Sequence, residues 1–145
     1  MNRDGHPDYV LFNPESLRTA VWFLNGTSFV SSAYGPTLPA GWKLIEALDF
    51  NGDCKIDYLL YNPGSKQTAV WYLSGTALTS GAFGATLPAG WRLEGASQFN
   101  TDGKPDLLLF EPGTRRTAIW FLDGTSFIRG TYGPTVASGY ALAAP

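Results

Sequence analysis

Residues that build catalytic centres and disulfides are scarce in this sequence. Histidine and cysteine occur once each in 145 residues, as His6 and Cys54. One cysteine cannot form a disulfide within the chain, although a calcium-stapled protein can live outside the cell without one. No Ser–His–Asp or Cys–His set can be assembled around a single histidine in a turn. We therefore expect no enzyme.

Strong net charge and long apolar runs are also missing. The formal net charge is −2, and the Lys and Arg residues are scattered rather than aligned in a basic stripe, so no nucleic-acid partner is expected. No run of about 18 apolar residues is present, so no membrane span is expected. With 44% hydrophobic and 14% aromatic residues, the composition is that of a globular protein.

The sequence consists instead of one unit repeated three times. Asn2, Asn51 and Asn100 begin the copies, and the step between them is 49 residues (51 − 2 = 49 and 100 − 51 = 49). The segments TAVWFLNGT, TAVWYLSGT and TAIWFLDGT recur in register. Copies this similar indicate recent amplification or deliberate design. The predicted organisation is a single repeat domain over 1–145, with units 2–50, 51–99 and 100–145.

The N-terminus does not coincide with a unit boundary. Met1 falls inside a repeat, at the position that Phe50 and Phe99 hold in the other copies. The first residues do not have the pattern of a signal peptide, so none is expected within this sequence. We expect either an artificial start made for expression or a unit taken from a longer array, rather than a natural start.

Each unit is predicted to form four short β-strands. The strands are separated by turns rich in Asn, Pro, Ser and Gly, and Asn25-Gly26 is a tight hairpin signal. No segment shows sustained helical spacing, so the fold class is all-β. In the first unit the predicted strands are 9–12, 19–24, 28–34 and 42–47.

The second predicted strand of each unit, residues 19–24 in the first copy, indicates how the units pack. Residues 20–24 (AVWFL) are apolar at both odd and even positions, so both faces of this strand must be covered. A four-stranded unit of about 40 to 50 residues, stacked on both faces, is typical of a β-propeller blade. The tryptophans expected in the core between blades are Trp22, Trp71 and Trp120.

A second set of aromatic residues follows a glycine at the entrance of a strand. A position at the rim is plausible there, so two interpretations stay open: packing against the blade, or stacking on the face of a bound sugar. The residues of this set are Trp42, Trp91 and Tyr140.

Oxygen-bearing side chains alternate along the segment DFNGDCKID, residues 49–57. A short loop of this kind can direct its oxygens at one hard cation such as Ca²⁺, which takes about six to eight oxygen ligands. The alternative is an acidic β-turn capped by Asx side chains without metal. The candidate ligands are Asp49, Asn51, Asp53, the Lys55 carbonyl and Asp57 in the central copy; Gln98, Asn100, Asp102, the Lys104 carbonyl and Asp106 in the third; and Asn2, Asp4, the His6 carbonyl and Asp8 in the first.

The three loops differ in quality. Cys54 replaces the glycine found at positions 5 and 103, which carries about 1 kcal/mol of strain if the backbone is left-handed. We interpret Cys54 as a tolerated substitution rather than a soft metal ligand. Gln98 removes one carboxylate, and the first ligand of the first loop precedes the chain. Paired carboxylates for glycoside hydrolysis are conceivable, but the calcium frame already accounts for these aspartates.

The acidic loop, DYLLYN, TAVWYLSGT and the aromatic-led strand that runs back into DFN resemble the FG-GAP (VCBS-type) repeat. This family occurs in integrin α-subunit propellers and in bacterial secreted proteins and lectins, and the resemblance covers essentially the whole chain. It implies a β-propeller that holds Ca²⁺ between the innermost and second strands of a blade, and an extracellular or secreted parent protein. The implied strand order from the centre outwards is the strand from Trp42, then 58–61, 68–73 and 77–83.

The implied blades do not close within one chain. The chain starts after an innermost strand and ends with one, Tyr140–Ala144, whereas propellers have about four to eight blades. Two chains arranged head to tail would form a six-bladed ring, each terminal strand completing the first blade of the other. A trimer, or a longer array, is the alternative.

Two functions of different class follow. The first is a lectin-like module that binds glycans, and the second is a purely structural unit that associates with itself. A protein-binding adhesion surface is a third possibility that the sequence does not distinguish from these.

Overall fold

The structure is a computed structural model that describes residues 5–143. In this range eleven strands form three antiparallel sheets, which confirms the all-β prediction. Over the same residues, no helix has the length and apolarity that a membrane crossing requires. The strands are β1 (Tyr9–Phe12), β2 (Arg18–Asn25) and β3 (Ser28–Thr37) in the first sheet; β4 (Lys43–Leu48), β5 (Asp57–Asn62), β6 (Gln67–Ser74) and β7 (Ala77–Thr86) in the second; and β8 (Arg92–Ser97), β9 (Asp106–Glu111), β10 (Arg116–Asp123) and β11 (Ser126–Thr135) in the third.

Strands that follow one another in sequence are neighbours in space. The second sheet has the order β4-β5-β6-β7 and the third has the order β8-β9-β10-β11. This is the predicted order of strands within a unit. The first sheet contains β1-β2-β3 and, among the described residues, has no counterpart of β4 or β8. Consequently β1 is an edge strand.

The second sheet is buried on both faces, as the apolar pattern predicts. Leu59 and Leu60 point to opposite faces of β5, and each is 1% exposed. Leu59 belongs to a cluster shared with the third sheet, which includes Leu107 and Leu109. Leu60 belongs to a second cluster, against which side chains of the first sheet pack. The three sheets are therefore stacked face to face.

The outermost strand of each unit is longer than predicted. β3 extends to Thr37, whereas the predicted strand ends at residue 34, just before the Gly35-Pro36 pair. An edge strand tolerates proline because its outer N–H groups need no partner. The Thr19 hydroxyl also donates a hydrogen bond of 2.7 Å to the Pro36 carbonyl, which holds this segment against β2.

Two of the three core tryptophans lie as predicted. Trp71 and Trp120 are partly buried and pack against the two apolar clusters. The prediction is wrong for Trp22, which is 43% exposed. Trp22 lies on the outer face of the first sheet, where no further sheet covers it within the described chain.

The predicted C-terminal strand is not formed. Residues 140–143 have no strand conformation, and Ala144 lies outside the described residues. A strand requires a neighbour to satisfy its backbone groups. No strand of the described chain pairs with this segment.

Candidate functional site

The central acidic loop joins β4 to β5. Asp49 accepts two backbone hydrogen bonds, from the Gly52 amide to Oδ1 (2.7 Å) and from the Cys54 amide to Oδ2 (2.8 Å). Asn51 and Asp53 each accept the amide two residues further on, at 3.0 and 2.9 Å. These are Asx turns, in which short polar side chains substitute for a backbone turn.

Cys54 has the left-handed backbone predicted for its position. Its φ angle is 61°, compared with 86° for Gly5 and 82° for Gly103 in the equivalent loops. Positions that correspond in different repeats, 49 or 98 residues apart, are called equivalent from here on. The Cys54 side chain is exposed, so the substitution strains the backbone without crowding the core.

Asp57 has a different role from the other acids of the loop. Its side chain is completely buried, and its two oxygens accept the amides of Phe50 (3.0 Å) and Leu73 (3.1 Å). Burial raises the pKa of the Asp57 carboxyl, and the hydrogen bonds from the two amides partly oppose this shift. One carboxylate therefore ties the start of the loop to strand β6.

The same tie recurs in the other units. Asp8 accepts the Leu24 amide at 3.1 Å, and Asp106 accepts the Leu122 amide at 3.1 Å. Asp106 also accepts the Phe99 amide at 3.2 Å. Sequence reasoning offered these aspartates as metal ligands or as Asx caps of a turn, and not as ties to a neighbouring strand. Identity between the loops gave no signal for this role, because a second aspartate, at positions 4, 53 and 102, is identical in all three loops as well.

The flanking loops are built like the central one where they are described. In the third loop, Asp102 accepts the Lys104 amide at 2.9 Å. The Lys104 ammonium contacts Asp123 at 2.7 Å, and this hydrogen bond raises the pKa of Lys104. Gln98 is exposed. In the first loop, His6 is exposed in the turn, whereas Asn2 and Asp4 lie outside the described residues.

The donor chemistry of the central loop is compatible with calcium. Its side chains offer carboxylate and amide oxygens, and each such oxygen can accept more than one partner. Among residues 5–143, however, no three His, Cys, Asp or Glu side chains are grouped as a metal site. The Asp57 oxygens are directed at the backbone amides of Phe50 and Leu73. Calcium binding stays a prediction.

The candidate sugar-stacking residues differ in exposure. Trp42 and Trp91 are half-buried, with ring centroids 6.0 Å from Phe83 and 6.1 Å from Tyr132. Trp42 packs against the cluster between the first and second sheets. Tyr140 is 74% exposed. Packing therefore accounts for Trp42, and Trp91 additionally lines a cavity of about 260 Å³.

These observations define an all-β repeat protein made of stacked antiparallel sheets. Residues 1–60 match a family model described as an FG-GAP-like repeat, which confirms the predicted resemblance over that segment. The matched segment contains the first unit and the central acidic loop. An FG-GAP-like repeat indicates a β-propeller-type module. The comparisons with curated proteins and with solved structures gave no match.

Proposed function

We propose that this chain is a non-catalytic β-propeller module whose ring is closed by head-to-tail association with a second copy. A difference in burial between equivalent positions carries the proposal. Tyr58, in the second sheet, is 0% exposed, whereas the equivalent Tyr9, in the first sheet, is 59% exposed. An exposed apolar face on a repeat unit is what a neighbouring unit normally covers.

The opposite end of the chain supplies a complementary surface. Against the second sheet, the Tyr58 hydroxyl lies beside Thr19 and Gly35 of the first sheet. The equivalent Thr117 and Gly133, in the third sheet, line an open cavity of about 330 Å³. A second copy would place its Tyr9 there. Two chains of three units give a ring of six, within the usual range of about four to eight blades, whereas a trimer would exceed it.

The mass of the assembly in solution tests this proposal. Light scattering combined with sedimentation velocity should give twice the chain mass of 15.7 kDa. A chain that stays monomeric at every concentration would rule out the closed ring. A mass of three chains would replace the six-bladed arrangement with the trimer.

We propose in addition that the central loop binds Ca²⁺ through Asp49, Asn51, Asp53 and the Lys55 carbonyl, with Asp57 behind them. The support is the dense set of oxygens in one turn. Isothermal titration with CaCl₂, after treatment with EDTA, should detect binding that Asp49→Ala removes. The matched control is Asp102→Ala in the third loop, which already lacks a first carboxylate and should change the heat much less. Equal loss in both variants would place the ion elsewhere.

A second candidate function is carbohydrate binding, as in a lectin-like or adhesion module of an extracellular parent protein. The aromatic cavity beside Trp91 favours it, because Tyr132 (65% exposed) and Phe127 (46% exposed) present ring surface to solvent. A glycan array would identify ligands, and Trp91→Ala should abolish binding while Trp42→Ala leaves it unchanged. A flat response across a broad panel would exclude this function.

A further inference from the structure

We propose that residues 136–143 of one chain complete the first sheet of a second chain, with the Tyr140 ring seated over Leu11 and Ala20. This inference rests on the proposed head-to-tail association and specifies the segment that makes the joint. It assigns Tyr140 to contact between chains rather than to a sugar.

Equivalent aromatic residues show what normally covers this place. Trp42 packs against the cluster that contains Leu60 and Ala69 of the second sheet, and its ring lies on Phe83. In the third sheet, Trp91 lies on Tyr132 and shares a cavity with Leu109 and Ala118. In both sheets, therefore, the aromatic residue that follows the glycine covers the equivalent pair of leucine and alanine.

Among the described residues, the first sheet has the same platform without an aromatic cover; only the Arg18 guanidinium lies over the Tyr34 ring, 4.1 Å from its centroid. Leu11, Ala20 and Tyr34 are equivalent to the residues beneath Trp42, and they line an open cavity of about 660 Å³. Tyr34 is 70% exposed. The residue that the repeat places above this platform is the equivalent of Trp42 and Trp91 in the following copy, which is Tyr140.

A second groove lies beside the free edge of β1. It has a volume of about 390 Å³ and separates Val10 and Phe12 of β1 from residues 44–47 of β4. In the other two sheets this edge is occupied by β4 or β8. Because Leu11 lines the cavity and Val10 lines the groove, the two openings flank β1 on its two faces, next to the edge that β4 and β8 occupy in the other sheets.

The C-terminal segment already has the conformation of the turns that present Trp42 and Trp91. The φ angle of Gly139 is 85°, equal to that of Gly41 and close to the 86° of Gly90. The amide of Tyr140 donates to the Ala137 carbonyl at 3.2 Å, as the amides of the two tryptophans do in their own turns. The turn therefore loses little ordering entropy on docking, whereas residues 141–143 have still to form the strand.

Arg115 holds this turn through hydrogen bonds to its backbone carbonyls. Its guanidinium donates to the carbonyl of Val136 at 2.8 Å and to that of Tyr140 at 2.6 Å. The side chain of Tyr140 is left 74% exposed. The segment is therefore presented to solvent as a preformed turn.

The segment cannot fill its own first sheet in the conformation observed. Leu142 and Ala143 lie on the outer face of the third sheet, beside Leu108 and Ile119. The occupant of the cavity over Leu11 is accordingly the segment of a second copy. A separate peptide ligand is the competing occupant, and it would leave chain-to-chain contacts unaffected by changes at Tyr140.

Equivalence also fixes the register of the joint. Leu44 pairs with Leu60 in the second sheet, and Leu93 pairs with Leu109 in the third. The corresponding pair between chains is Leu142 opposite Leu11. Directly opposed residues of antiparallel strands are about 4.5–5.5 Å apart at Cα, which suits a disulfide.

Cysteine cross-linking tests the register directly. In a Cys54→Ser background, Leu11→Cys combined with Leu142→Cys should give a band of dimer mass on a denaturing gel without reductant. The band should return to monomer mass when reductant is added. The matched control, Leu11→Cys with Ala143→Cys, should cross-link at least about tenfold less, because successive side chains point to opposite faces. Equal cross-linking in both pairs, or a disulfide only at monomer mass, would overturn the inference.

Variants at Tyr140 test the side chain with the rest of the segment intact. Sedimentation equilibrium should show that Tyr140→Ala weakens association by about tenfold or more, since a buried aromatic anchor contributes strongly to an interface. Tyr140→Trp, which restores the residue of the other copies, should strengthen it. A dimer that neither variant affects and that does not cross-link would refute this joint and leave the association standing. A monomeric parent chain would instead refute the association itself.

Discussion

At the scale of single residues, the aspartates of the acidic loops have two structural roles that the sequence does not distinguish: capping the loop and binding a neighbouring strand. Asp49 and Asp53 are accessible and cap amides of their own loop, whereas Asp57 is buried and reaches a different strand. All three are aspartates spaced four residues apart in one segment (53 − 49 = 4 and 57 − 53 = 4). They differ in burial, because Asp57 is the first residue of the buried strand β5 and lies next to β6.

Asp57→Ala should destabilise the protein by about 2–5 kcal/mol, because it leaves two buried amides without an acceptor. Denaturant unfolding followed by circular dichroism measures the change. Asp53→Ala removes an exposed ion pair with Lys55 and an exposed hydrogen bond from the Lys55 amide. It is the matched control and should lose clearly less stability, because water can replace both partners. Equal losses would mean that Asp57 does not carry the tie to β6.

Cys54→Gly should stabilise the central loop. Cys54 has a φ angle of 61°, and glycine adopts this conformation without the clash of a Cβ atom. The expected gain is about 0.5–1 kcal/mol, reduced somewhat by the greater freedom of glycine in the unfolded chain. Thermal unfolding with EDTA present separates this effect from any bound ion, and a lower midpoint for the variant would contradict it.

At the scale of elements, a threonine and a glycine lock the two outer strands of each sheet together. The hydroxyls of Thr19, Thr68 and Thr117 each donate a 2.7 Å hydrogen bond to a carbonyl of the outermost strand. A Cβ atom placed on Gly84 would lie 2.5 Å from the Thr68 Oγ1. The close approach of the strands therefore depends on the glycine.

Gly84→Ala should cost about 1–3 kcal/mol, because the added methyl group forces β7 away from β6. Gly113→Ala is the matched control. Nothing lies within 4 Å of a Cβ atom at that position, so its effect should be within about 0.5 kcal/mol. Chemical denaturation of both variants decides the matter, and two indistinguishable curves would contradict the locking role.

The elements were largely predictable from the sequence, while some of their surroundings were not. Apolar runs such as residues 58–61 identify buried strands, and the hairpin at Asn25-Gly26 fixes their pairing. The end of β3 was missed because Gly35-Pro36 is a strand breaker locally, and the contacts that hold it, from Thr19 and Arg18, come from residues distant in sequence. The exposure of Trp22 was missed because burial of this position depends on a neighbouring sheet.

The candidate site was predictable in location but not in geometry. The alternation of oxygen-bearing residues places a loop between β4 and β5, and the structure has it there. The two contacts of Asp57 could not be predicted, because Leu73 is 16 residues away along the chain. Long-range hydrogen bonds of this kind leave no periodic signal in sequence.

At the scale of the whole molecule, the sheets contact one another in a row. The second sheet touches both of the others, through β4 with β8 and through β7 with β3 and β11. In such an arrangement, stability is approximately the sum of the units and the interfaces between neighbours. The two end sheets therefore have the most to gain from a further neighbour.

The midpoint of thermal unfolding should consequently rise with protein concentration. Association that involves only the folded state stabilises it by mass action. Scanning calorimetry over a hundredfold range of concentration measures the effect, and Tyr140→Ala should flatten the dependence. A midpoint independent of concentration in the parent chain would show that folding and association are not coupled.

The exposed position of Trp22 has an optical consequence. Trp71 and Trp120 lie against glycines, and a Cβ atom at Gly81 or Gly130 would come within 2.7 or 2.9 Å of the indole, so their surroundings are already fixed by packing. Trp22 faces Ser32 instead and is 43% exposed. Covering it removes water from an indole and shifts its emission to shorter wavelength. The difference spectrum between the parent chain and Trp22→Phe thus provides an intrinsic fluorescent reporter of one outer face, without any added dye.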